Sequence, residues 1–227
     1  MSAHHQVSVT SWPHAFNYAG LHNAVVAEIE TPFIGLINND IEVIEGAWLS
    51  EMMSHAIRSE VAAVGAKLLF PEGLIQHGGV VIGQHGIADN AQRAFAKDEA
   101  GYFDSLRVPQ NVSAVTAACL ICRRADYLAV GGMDAENLPI SFNDVDFCLK
   151  LKAQGKKIIW TPQATLIHHE SATRGDQTTP AHRRREKREA AFLKKKWDTQ
   201  NFDDPYYSPN LSRDLQTYVD FRWPDGL

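Results

Sequence analysis

Three cysteines in 227 residues are too few, and an odd number, for a disulfide framework. Cys119 and Cys122 have the spacing of a redox or zinc pair, but no second pair completes a metal site. Both lie in an apolar run, as buried core thiols do, and this cysteine usage fits a reducing, cytoplasmic compartment. No apolar stretch approaches the roughly 20 residues that span a bilayer. The first residues lack the charged-then-apolar pattern of a secretory leader. Internal repeats are absent, and so is a basic surface interleaved with aromatics, which argues against nucleic acid as a partner.

What is present is ordinary for a globular chain: 44% hydrophobic and 22% charged residues, enough for one large domain or a domain with an appendage. The net charge of −5 hides an asymmetry. Residues 183–196 hold eight Lys/Arg and two Glu, a local +6, which leaves −11 elsewhere. This stretch is rich in helix formers, with Ala190, Leu193 and Trp197 at helical spacing. Its charges read as a solvated helix face or as attraction to an anionic membrane surface or a lipid-linked phosphate.

Strands and helices alternate along the chain, which predicts an α/β fold. Residues 16–30 read as an amphipathic helix with Asn17 as N-cap, feeding a buried strand at Phe33–Ile37. A helix across 46–58 precedes a strand at 61–69, and glycines punctuate 71–86 around Gln76-His77-Gly78-Gly79. Residues 87–110 are polar and irregular, and 112–122 are again strand-like. A helix over 143–154 stops at Gly155, and two short strands follow at 157–160 and 164–167. The turn-rich segment 203–209 reads as a surface wrap.

Three places carry chemistry. The strand at Phe33 ends in Asn38-Asn39-Asp40, which is equally good turn chemistry and a hard-oxygen site for magnesium or manganese against a phosphate. Asn143-Asp144-Val145-Asp146 opens a helix: a capping-box variant with dipole-compensating acids, or the seat of a general base. His168-His169 ends a strand, where neighbouring side chains point to opposite faces, so at most one of them shares a site with Asp40.

In their order along the chain, these motifs, with ACLICRR…VGGMD between them, resemble the family 2 inverting glycosyltransferases of the GT-A fold. The likeness is to bacterial enzymes of cell-surface polysaccharide and rhamnose-containing glycan assembly, and it covers roughly residues 16–210. It implies a GT-A-like, mostly parallel sheet flanked by helices in residues 1–175, with a helical, turn-rich extension over 176–227. Asp40 would hold the divalent metal, with Asn38 and Asn39 standing where acids often precede it and joining it at the diphosphate. Asp144 would be the catalytic base. His168, with His169 as runner-up, would be a metal ligand or diphosphate contact, and Arg174 could clamp a phosphate or be simply a loop residue. His77, Asn143 and Asp146 would lie on the acceptor side, while Cys119 would serve packing. The implied partners are a nucleotide-diphosphate sugar donor and a glycan or lipid-linked acceptor, at the inner face of the cytoplasmic membrane.

Family members open with a strand, a helix and a second strand ending in aspartate, which hold the nucleobase and ribose. This chain begins about two such units later, as a fragment, a truncated gene product or one half of a pair would. A non-catalytic binding or scaffold remnant is the contrasting expectation. A metal-dependent hydrolase gathering Asp40, Asp144, Asp146 and His168 around one ion is the third.

Overall fold

A computed structural model describes residues 7–169 and 179–223. The elements run α1 (Tyr18–Glu28), β1 (Phe33–Ile37), β2 (Ile41–Val43), α2 (Trp48–Ala56), β3 (Val61–Leu69), β4 (Ile75–His77), β5 (Val80–Ile82) and β6 (Ala88–Asn90). They continue with β7 (Gln110–Val112), β8 (Cys119–Arg123), α3 (Arg124–Ala129), α4 (Asn143–Ala153), β9 (Lys157–His168) and α5 (Pro180–Trp197). The main sheet is ordered β1-β8-β3-β9-β2, with β4 added to β3 and β7 to β9; β5 and β6 form a separate ribbon.

The α/β class holds, but the sheet is mixed rather than mostly parallel. Among the described strands only β3 and β9 run parallel; the other pairings are antiparallel. The apolar runs that suggested parallel strands differ in cause: β3 is covered on both faces, whereas β1 is not the buried strand expected but alternates, with Ile34 and Leu36 buried and Gly35 and Ile37 exposed. Every residue of β3 is buried. On one side lies a core holding Val26, Tyr127, Phe147, Trp160 and Leu193, from α1, α3, α4, β9 and α5. On the other, Met52 and Ala56 of α2 pack on Val64, Leu68 and Ile121. Cys119, Cys122 and Cys148 are buried and unbridged. Burial alone pushes the Cys119 thiol up to about 12, so it is inert packing.

Two predicted strands are redrawn. Residues 157–160 and 164–167 are one strand, β9, whose register on β3 jumps from Thr161 opposite Ala66 to Thr165 opposite Lys67. The three extra residues include Pro162, which cannot donate to a ladder and is accommodated in the bulge. The apolar run 112–122 is broken instead: Ser113–Ala118 leave the sheet between β7 and β8, and Thr116, Ala117 and Ala118 become a wall of the cavity described below.

The predicted N-cap is present, since Asn17 Oδ1 accepts from Gly20 N at 2.8 Å. The capping box at Asn143 is not. Phe142 occupies the cap position at φ 60° and makes no side-chain cap bond, and Asn143 is the first helical residue. α5 opens with Thr179 as N-cap and Pro180 in its first turn. Its Arg183, Arg184, Lys187, Arg188 and Lys195 are exposed, whereas Glu189 and Leu193 are buried against the body. The segment after α5 is anchored by Asp204, which accepts from Ile82 N and Ser113 Oγ, both at 2.8 Å. No helix of the described residues is long and apolar enough to cross a membrane.

Candidate functional site

Two backbone pairings assemble the site. β2 lies antiparallel to the end of β9 with Ile41 opposite His168, and His169 N donates to Asp40 O at 3.0 Å. This register sets the side chain of Asp40 beside that of His168. On the far side, β1 pairs with β8, and Asn38 N continues the ladder to Ala118 O at 2.9 Å. Ala117 N in turn donates to Asp144 Oδ2 at 3.1 Å. Three motifs separated by up to 130 residues therefore meet within one short stretch of backbone.

They surround a cavity of about 190 Å³ lined by Asn38, Gln76, His77, Asn143, Asp144 and His168, among others. A larger cleft of about 790 Å³ adjoins it, sharing Tyr18, Asn38 and Ile140 and adding Asn39, Asp40, His182 and Arg185. The predicted residues divide accordingly: Asp144, Asn143, His77 and His168 face the small cavity, Asn39 and Asp40 the large cleft, and Asn38 both. Arg174 lies outside the described residues.

Asp144 lies in the first turn of α4, where the helix N-terminus favours negative charge. Its Oδ1 accepts from Val145 N at 2.8 Å, so each oxygen is held by one backbone amide. Burial nevertheless raises its pKa above the ordinary carboxylate range, and the amides of Ala117 and Val145 and the Thr116 hydroxyl offset this only in part. A carboxyl group that is fixed, desolvated and open to a cavity suits proton abstraction.

Asp146, two residues on, does not reach the cavity. It is fully buried and accepts from Trp197 Nε1 and Lys196 Nζ, both at 2.7 Å, with Lys150 Nζ at 3.6 Å. The expectation of an acceptor-side Asp146 is corrected: it fastens α5 to α4. Neighbours at this spacing project about 200° apart on a helix, so the two carboxylates cannot serve one ion.

His168 is held at Nδ1 by Gln76 Oε1 at 2.7 Å, and Gln76 Nε2 donates back to His168 O at 3.3 Å. With Nδ1 donating to that amide oxygen, Nε2 of the neutral ring presents a lone pair. It faces Asn38 Nδ2 at 3.3 Å and Asp40 Oδ1 at 3.1 Å. Asp40 Oδ1 is buried and accepts no hydrogen bond. Two lone pairs so placed repel unless a proton or a cation lies between or beside them. Adjacent ligands of an octahedral ion with bonds of about 2.1 Å lie about 3 Å apart, so Asp40 and His168 fit neighbouring positions on magnesium or manganese. Gln76 is the outer partner that such a histidine needs. Among the described residues no three His, Cys, Asp or Glu side chains converge closely enough to hold an ion. A metal here would complete its shell with water and ligand oxygens. His169 points away and pairs with Glu42 at 2.8 Å on the exposed side.

His77 is buried with both ring nitrogens engaged, Nδ1 with Asn90 Oδ1 at 2.6 Å and Nε2 with Thr116 N at 3.3 Å. Burial drives its pKa down to about 4; the Asn90 bond works against this and nearby His168 works with it. It is a neutral strut of the cavity wall. Gly78 and Gly79 make the turn after it possible: a Cβ on Gly78 would sit 2.8 Å from Ala91 O, and Gly79 has φ 91°. Sequence reasoning passed over Tyr18, Gln76, Asn90, Arg93, Thr116 and Ser141, all of which line this cavity. Of these only Gln76 carried a signal, as the first residue of the Gln-His-Gly-Gly motif.

The mixed sheet covered by helices has the GT-A fold of known glycosyltransferases. A mannosyltransferase from Pyrobaculum calidifontis, solved with GDP-mannose and Mn²⁺, superposes with a TM-score of 0.52 at 13% identity, covering 82% of this chain and 45% of that one. GalNAc-T7, solved with UDP, GalNAc and Mn²⁺, gives 0.52 at 9% identity over 83% of this chain and 38% of its own. In sequence, the chain is 48% identical over 204 residues to an uncharacterized protein, y4gI, of Sinorhizobium fredii. It is 38% identical over 208 residues to the O-antigen biosynthesis protein RfbC of Myxococcus xanthus. It is 26% identical over 169 residues to the pre-mycofactocin glycosyltransferase of Mycobacterium tuberculosis. These alignments take in 90%, 89% and 74% of the chain, but only 22%, 16% and 33% of the respective relatives. No family model matches the chain.

Proposed function

We propose that the chain is the acceptor-and-catalytic part of an inverting glycosyltransferase of cell-surface polysaccharide assembly, using a nucleotide-diphosphate sugar and a divalent metal. The observation that carries this reading is Asp144: a carboxylate held by two backbone amides, desolvated, and sharing a cavity with His168. Support also comes from the O-antigen biosynthesis relative and from the Mn²⁺ and nucleotide ligands of the two similar folds.

Asp144 takes the proton from an acceptor sugar hydroxyl as that oxygen attacks the anomeric carbon from the face opposite the nucleotide. A single displacement inverts the anomeric configuration. Asp40 and His168 would hold a divalent ion, magnesium or manganese, which would supply neutralising charge toward the diphosphate. Asn38, touching both the cavity and the cleft, stands between acceptor and donor sides. The exposed basic face of α5 suits an anionic membrane surface carrying a lipid-linked acceptor.

Calorimetric titration of UDP-, dTDP- and GDP-sugars, with and without manganese, tests the donor site. Metal-dependent heat with at least one donor is expected. Its absence with all of them would favour a remnant acting as a binding or scaffold module.

A further inference from the structure

The large cleft has two unlike walls. One is Asn38, Asn39 and Asp40; the other is the inward side of the first turns of α5, with His182 and Arg185. Phe16, Leu21, Ile37 and Ile140 make up an apolar remainder. Resting on the donor reading above, charge alone asks for a second cation here. A sugar-nucleotide diphosphate carries two negative charges. One divalent ion bound through the single carboxylate of Asp40 leaves that assembly at −1. Arg185 on the other wall offers that deficit a guanidinium, part of whose charge is already spent on Glu189 beside it.

Arg185 is unlike its basic neighbours. Arg183, Arg184 and Arg188 are exposed, whereas Arg185 is partly buried and its Nε stands 3.5 Å from Oε1 of Glu189, one turn along. Glu189 is completely buried, and its Oε2 accepts from Ser141 N at 2.5 Å and Ile140 N at 3.3 Å. A buried carboxylate is costly unless hydrogen-bonded and paired, and Glu189 meets that cost by tying α5 to the loop that leads through Phe142 into Asp144. The same side chain thus bonds the backbone ahead of the acidic group and stands in ionic contact with the cleft's arginine, with no hydrogen bond between Oε1 and Arg185 Nε.

We infer that α5 supplies the cationic wall of the donor cleft: Arg185 binds the diphosphate oxygens across from Asp40, and Glu189 positions both Arg185 and the 140–144 loop. A planar guanidinium suits paired phosphate oxygens better than an ammonium does. Glu189 touches no ligand; it is a positioning residue.

The test uses the full chain, Mn²⁺ and inorganic pyrophosphate, which carries the diphosphate chemistry without a base or sugar. Arg185→Gln should weaken manganese-dependent pyrophosphate binding at least tenfold, Arg185→Lys severalfold, and Arg184→Gln less than twofold. Circular dichroism shows which variants are folded, and the lysine variant carries the comparison if the glutamine variant is not. Glu189→Gln keeps an acceptor oxygen for the loop amides but loses the charge beside Arg185. It should weaken pyrophosphate severalfold and speed amide hydrogen exchange in peptides spanning 140–144. Folded Arg185 variants that bind pyrophosphate within twofold of wild type would overturn the inference and leave the donor site standing. Wild-type chain with no manganese-dependent pyrophosphate affinity would overturn the donor site as well.

Discussion

The two acidic corners of the site are built in opposite ways. At Asp144 each carboxylate oxygen already has a backbone amide, delivered by the 116–118 wall and by the start of α4. At Asp40 a buried oxygen has no hydrogen-bond donor and faces the ring nitrogen of His168 at 3.1 Å. One corner is complete without a ligand and keeps only its proton to exchange. The other is complete only when a proton or cation arrives. That difference supports the proposed base and the proposed metal ligand more sharply than the sequence motifs do, since both read simply as acids beside asparagines.

The largest effect should come from Asp144→Asn, which removes the base and keeps the shape. Transfer should fall by about 10³-fold or more, while manganese-dependent donor binding stays within threefold. Thermal stability should change little, because relief of the buried charge is offset by an asparagine NH2 facing one of the two backbone N–H donors. Burial lifts the Asp144 pKa in the folded chain, so this group's favourable contribution belongs to low pH and is lost as pH rises through the folded value; at neutral pH the charge is a net cost. For the same reason the acidic limb of kcat/KM against pH should lie above the ordinary carboxylate range. Near wild-type turnover by the asparagine variant would assign the base elsewhere.

The Asp40 corner should break differently. Asp40→Ala or His168→Ala should weaken manganese binding at least tenfold, read by titration of the ion alone. Gln76→Leu, which frees the ring without touching the metal, should cost a similar 10–100-fold. If Gln76→Leu leaves affinity unchanged, the Gln76 amide does not set the His168 tautomer.

Much of this arrangement could be read from the chain. Local signals were sufficient where one segment settles the outcome: Asn17 caps α1, Gly155 follows α4, and the apolar runs at 33–37 and 61–69 are strands. They were misleading where a distant partner decides. Asp146 looks like a cap or a site acid because Trp197 and Lys196, fifty residues away, are invisible from its neighbourhood. Strand direction was hidden in β3 because burial on both faces erases the alternation that marks an antiparallel ribbon, and in β1 because its exposed positions, Gly35 and Ile37, are not polar. Thr116 and Tyr18 are ordinary residues made important by placement; nothing in their surroundings announces it. Gln76 was legible within its motif, but histidine beside it drew the chemical attention.

Asp146 also tests the contrast from the other side, as an acid of the same motif whose role is structural. Asp146→Ala leaves the Trp197 N–H without its acceptor and takes the nearest anion from Lys196, which keeps Asp134, and from Lys150, which keeps Gly132 O, and should cost about 2 kcal/mol of stability. The matched change Asp146→Leu with Lys196→Met, which removes both charges, should recover part of that loss. Denaturant unfolding measures both. Full stability in the single alanine variant would mean that the cluster does not hold α5 in place.

The smallest effect belongs to the wall between the corners. His77 is neutral and buried, with its pKa depressed to about 4 against 6.5 when exposed. The unfolded chain therefore takes up a proton first. The contribution is fully present above pH 6.5 and is lost progressively as pH falls through 4. At pH 5.5 the loss amounts to about 1.4 kcal/mol for this one group. His77→Gln keeps a hydrogen-bonding side chain but cannot titrate. The difference in unfolding free energy between wild type and variant should therefore shrink by about that amount between pH 7.5 and 5.5. A difference independent of pH would show that the ring is reached by water, and that the cavity wall is looser than the bonds to Asn90 and Thr116 imply.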